Sequence, residues 1–63
     1  MALVGDEYLT TAMIAKELTV SDRVVRLWVA EKLLRATKVG RAWRITRQDL
    51  ETALRRGTIE RGA

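Results

Sequence analysis

A chain of 63 residues with a net charge of +4 leaves room for one domain around one small core, and no second domain is expected. It has neither cysteine nor histidine, which excludes a disulfide framework, the usual zinc sites and histidine general-base chemistry. Met1 to Asp6 is not a basic segment leading into an apolar one, and nowhere do about 18 apolar residues follow one another, so neither a secretion signal nor a membrane span is expected and the expected location is the cytoplasm.

In chain order, residues 1–7 carry no hydrophobic period and contain the turn signal Gly5-Asp6, so they read as a flexible N-terminal arm. Thr10 is a suitable N-cap for a first helix of about two turns, which sets Thr11, Ile14, Ala15 and Leu18 on one side. Thr19 and Val20 then leave a connection that suits two helices crossing steeply, with the small Ala15 allowing close approach. Glycine is usual in such a turn. With Thr19 there, either the turn differs or a strained left-handed residue is tolerated.

The stretch from Val20 to Lys32 carries the second helix, capped by Ser21 and starting at Asp22. Val25, Trp28 and Val29 share one face at i, i+3, i+4 spacing and point to the core. Arg23, Arg26, Leu27 and Ala30 share the opposite face. Its two guanidinium groups can each make paired hydrogen bonds to a phosphate or a guanine edge.

Leu33 and Leu34 read as core, and Arg35 to Val39 and Ala42 to Ile45 as two strands turning at Gly40. A three-residue loop, Gly40 to Ala42, pairs Val39 with Trp43 and Thr37 with Ile45, setting this set against Lys38 and Arg44. A two-residue loop would mix the faces, so the longer loop is preferred. Either way Arg41 is at the tip. Trp43 suits packing between wing and helix, or contact with a sugar-phosphate backbone.

Thr46 caps a third helix, with Asp49 placed to complete a capping box. Leu50, Ala53 and Leu54 form its apolar stripe, Arg55 and Arg56 suit the negative end of its dipole, and Gly57 suits a left-handed C-terminal cap. Residues 58–63 read as a frayed C-terminal tail with Ile59 as its one large apolar side chain, leaving 8–57 as the folded unit.

Charge is unevenly distributed along this order. Residues 21–47 hold Arg23, Arg26, Lys32, Arg35, Lys38, Arg41, Arg44 and Arg47 against Asp22 and Glu31, a balance of +6. The first twenty residues carry −2 and the last sixteen cancel. Clustered cations are rewarded by counterion release on a polyanion, so this segment reads as a nucleic-acid footprint; the alternatives are a solvated basic surface or a face for an acidic protein partner.

The order α-α-β-β-α, mainly helical with a small β-hairpin, is that of a winged helix-turn-helix. Leu9-Thr10-Thr11-Ala12 at the first helix, and Val39-Gly40-Arg41 followed by Trp43-Arg44-Ile45 in the wing, resemble the small winged-helix domains of phage excisionases (recombination directionality factors) and their MerR-like relatives. The departures are Met13 at a commonly acidic position, Leu27 where arginine is common, Lys32 where a helix-ending glycine is common and Arg35 where proline is common.

The resemblance implies a DNA-binding, DNA-bending protein of a bacterial host's nucleoid. It would bind sites near a prophage attachment region cooperatively and direct an integrase toward excision, or else regulate transcription as a small phage or plasmid factor. Its partners would be double-stranded DNA, an integrase and other copies of itself, with no membrane. Ser21, Arg23, Arg26 and Leu27 would face the major groove, and Lys38, Arg41 and Arg44 would serve the wing. An enzyme is not expected. Ser21 is the only serine and already has a capping role, Asp6-Glu7 is an isolated acidic pair, and Gly40 stands outside any glycine-rich phosphate loop, so neither cofactor nor metal is called for.

Overall fold

The computed structural model describes residues 8–62. Its elements are β1 (Tyr8–Leu9), α1 (Thr11–Leu18), α2 (Asp22–Ala30), β2 (Thr37–Val39), β3 (Ala42–Thr46) and α3 (Arg47–Arg56). The three helices and the hairpin follow the winged helix-turn-helix order expected of the sequence. The strand β1 is additional, and makes the sheet three-stranded and antiparallel in the order β1-β3-β2.

Each helix starts where a hydroxyl replaces a missing carbonyl. Thr10 Oγ1 accepts from the Met13 N–H at 3.1 Å, Ser21 Oγ from Val24 at 3.1 Å and Thr46 Oγ1 from Asp49 at 3.0 Å. Of the expected capping box the structure has this Thr46 half, while Thr46 itself pairs with Tyr8 in the sheet.

All three helices end alike. A left-handed residue lets its own N–H reach back three residues and the next N–H reach back five, the double closure of a Schellman motif. At α1 these bonds are Thr19 to Lys16 and Val20 to Ala15; at α2, Lys32 to Val29 and Leu33 to Trp28; at α3, Gly57 to Leu54 and Thr58 to Ala53. Only the last uses glycine. Thr19 (φ 60°) and Lys32 (φ 65°) adopt the same conformation with a Cβ, at a cost of about 1–2 kcal/mol each. The helix-turn-helix turn thus keeps its usual geometry at Thr19 and tolerates the strain.

The core gathers Leu9, Ile14, Ala15, Leu18, Val25, Leu34, Ile45, Leu50, Ala53 and Ile59, with Val20, Trp28, Val29, Ala36 and Leu54 packed around it. β1 matters here because Leu9 pairs with Ile45, setting two buried side chains side by side on the inner face of the sheet. Two expectations are corrected in the same region. Leu33 is exposed, its carbonyl accepting from the Thr58 hydroxyl at 2.9 Å, and only Leu34 enters the core. The tail is packed rather than frayed: Ile59 is 2% exposed, and the Gly62 N–H donates to the Leu18 carbonyl at 2.6 Å. The expected arm at residues 1–7 lies outside the described residues.

Arg47, at the start of α3, donates to Glu17 near the end of α1 at 2.7 Å. This hydrogen bond, joined by the nearby positive charges of Arg47 and Arg61, holds the Glu17 carboxyl below its ordinary pKa against the opposing effect of desolvation.

Candidate nucleic-acid interface

The outer face of α2 is built as its spacing requires. Val25 is fully buried and Trp28 and Val29 are half-buried, which turns Arg23, Arg26, Leu27 and Ala30 to solvent. Ser21 holds the first turn through its bond to Val24. Arg26 also meets Asp22 one turn earlier in an ion pair, its Nε 2.8 Å from Oδ2. Composition did not single out that pair, although its i, i+4 spacing is a signal that could have found it.

The wing differs from its expected register. Thr37 pairs with Arg44, Lys38 with Trp43 and Val39 with Ala42, so the loop has two residues, Gly40 and Arg41, rather than three. Gly40 is left-handed (φ 64°) and Arg41 is not, the glycine-first arrangement favoured in type II′ hairpins because its twist matches that of the strands. The one-residue difference changes the faces. Lys38, Trp43 and Ile45 now share the inner side, whereas Thr37, Val39 and Arg44 share the outer side. The expected set of Val39, Trp43, Thr37 and Ile45 against Lys38 and Arg44 is therefore split.

Lys38 lies over the Trp43 ring, 5.6 Å from its centroid, a cation–π contact that draws the ammonium along the wing. Trp43 spans two clefts. One, open and about 380 Å³, is lined by Thr10, Thr11, Arg26, Arg41, Ala42 and Trp43 and joins the start of α1, the outer face of α2 and the wing tip. The other is lined by Val29, Lys32, Leu34, Arg35, Ala36 and Trp43. The structure thus brings Arg26 and Arg41 to one cleft and leaves Arg44, half-buried, on the far side of the hairpin. Thr10 and Thr11 were missed as site residues because the contact joins segments some thirty residues apart, for which the sequence has no local signal.

Among the described residues Arg23, Arg41 and Arg44 have neither an ion pair nor a side-chain hydrogen bond. Their charges are uncompensated and spread over two neighbouring elements, an arrangement able to bind a polyanion. Over residues 8–58, which run from β1 to the first residue after the α3 cap, the chain matches a family model described as a helix-turn-helix domain. The chain belongs to this helix-turn-helix family. The family binds DNA, and DNA is the partner this membership supports. No curated protein and no solved structure gives a significant match.

In helix-turn-helix terms α1 and α2 are the two helices of the motif, Thr19 and Val20 its turn, and the β2–β3 hairpin its wing. No described helix is long and apolar enough to cross a membrane, and the described residues contain no cluster of three or more metal-ligating side chains.

Proposed function

We propose that this helix-turn-helix protein is an excisionase: it binds neighbouring sites in double-stranded DNA near a prophage attachment region, bends the duplex and directs an integrase toward excision. The observation that carries the reading is the cleft shared by Arg26 of α2 and Arg41 of the wing, which lets one small domain hold two parts of a duplex at once. In this arrangement α2 enters the major groove. Arg23 and Arg26 meet base edges or adjacent phosphates, and Leu27, 52% exposed, meets a thymine methyl.

Arg41 at the wing tip reaches a narrow flanking minor groove, where the negative potential is enhanced. Ser21, Lys38 and Arg44 position the backbone. Short contacts of this kind give modest affinity per copy, and several copies side by side spread the energetic cost of a curved DNA path over several binding events. Of the apolar residues expected to join copies, Met13, Leu27 and Ile59, exposed Met13 is the candidate that remains, because Ile59 is buried in the core and Leu27 is turned to the groove in this arrangement.

The test is a gel-shift titration on DNA spanning the host element's attachment region and nearby promoter, at two salt concentrations, with circularly permuted fragments. Stepwise cooperative complexes with a bend in the sequences beside the attachment core are expected. Binding confined to a promoter operator would replace excision by transcription control, and no binding at low salt would point to an acidic protein partner. At the residue level, Arg26→Ala weakens a preferred site more than random DNA, whereas Lys38→Ala weakens both alike. Equal losses for both variants would remove base reading from Arg26.

A further inference from the structure

Asp22 is an unexpected residue to find on a face that approaches phosphates. It opens α2, where its charge suits the helix dipole, but its carboxylate is held in a particular way. Oδ2 forms an ion pair with Arg26 Nε at 2.8 Å, and Oδ1 is buried without a hydrogen-bond partner. An orphaned buried carboxylate oxygen costs more than an exposed i, i+4 ion pair contributes, so stability does not explain the arrangement.

Its effect on Arg26 does. The ion pair engages Nε, the guanidinium nitrogen nearest the chain. The two terminal amino groups, those that form a parallel pair of hydrogen bonds with a guanine edge, have no partner among the described residues. The Arg26 side chain is 69% exposed, so without a partner it would sample many rotamers and lose that freedom on binding.

We infer that Asp22 is a positioning residue for base recognition: it pre-orients the Arg26 fork toward the groove and, by its negative charge, weakens binding to DNA that offers Arg26 no matching base. The inference rests on the reading of α2 as the helix that meets base edges. Asp22 then has two effects. Its charge is repelled by nearby phosphates in every complex, and its hold on the Arg26 fork offsets that cost only at the site where Arg26 finds its base.

The experiment measures binding of the full chain to a duplex selected with the wild-type protein from a random pool and to a scrambled duplex of equal composition. The variants are Asp22→Ala, Asp22→Asn, Arg26→Ala and Asp22→Ala/Arg26→Ala. Asp22→Ala should bind the scrambled duplex more tightly and lose about tenfold in the ratio of selected to scrambled affinity, within the range a bidentate base contact supplies. Asp22→Asn loses the charge but keeps an oxygen that can accept from Nε, so it should recover most of the ratio while still binding scrambled DNA more tightly than wild type.

Both variants lose the favourable charge at the helix start, so a merely structural role would lower the ratio in both or in neither. In the Arg26→Ala background Asp22→Ala should leave the ratio unchanged. An unchanged ratio in Asp22→Ala, or an equal loss in both backgrounds, overturns the positioning role while leaving DNA binding intact. A wild-type protein that binds DNA without preferring any selected sequence overturns base reading by α2, and the positioning role with it.

Discussion

The wing and the C-terminal tail exchange the parts their compositions suggest. The wing carries Val39 and Trp43 yet leaves them 53% and 36% exposed, and every residue of β2 is exposed. The tail is mostly polar, yet it buries Ile59 almost completely and closes on the turn of the helix-turn-helix motif through Gly62. Apolar character therefore marks the core only where the fold has a surface to cover it. A hairpin that projects beyond its helices has none, and its side chains remain available to a partner. One apolar side chain on an otherwise polar tail suffices to join the core.

The contrast predicts that the tail controls stability and the wing controls binding. The largest effect is expected for Ile59→Ala, which removes a fully enclosed side chain and should destabilise the fold by about 2–5 kcal/mol. That is a large share of the roughly 3–9 kcal/mol typical of a domain this size, so the urea midpoint should fall sharply. A midpoint close to wild type would show that the tail is dispensable.

Gly62→Ala comes next. A Cβ on Gly62 would collide with the Thr19 carbonyl and press on Val20, so either the tail lifts or the turn shifts, at about 1–3 kcal/mol. Amide exchange should locate the loss at Gly62, whose N–H now donates to Leu18. In the opposite direction, Thr19→Gly relieves the left-handed strain in that same turn. Part of the gain is returned as extra freedom of the unfolded chain, so thermal unfolding should report an increase of up to about 1 kcal/mol.

The smallest change in stability is expected in the wing. Arg41→Ala should unfold within about 0.5 kcal/mol of wild type, because the arginine is exposed and makes no ion pair among the described residues. The same variant should bind DNA more weakly and lower the slope of log affinity against log salt by about 1, the signature of one cation withdrawn from the DNA surface. A wing variant that unfolds early, or a tail variant that alters DNA affinity without altering stability, would break the comparison.

The sequence by itself determined whatever depends on neighbours three to five residues away. The caps Thr10, Ser21 and Thr46, the left-handed stop at Gly57, the core stripes of the helices and the outward face with Arg23 and Arg26 could all be read, because a hydroxyl finds its amide within one turn and helical period fixes which side chains share a face. Even the Thr19 turn was legible as a choice between strain and a different geometry.

Only the tertiary structure decided the rest. β1 exists because Leu9 can pair with Ile45, some thirty-six residues away, and a strand of two residues has no period of its own. Alternation of apolar residues predicts hairpin register only where one face of the wing is covered. The fold covers only the end nearest Ile45, so turn geometry at Gly40 selected the two-residue loop instead. Ile59 is buried and Val39 exposed for the same reason: local chemistry fixes the conformation of a segment, but burial is a property of what the rest of the chain brings against it.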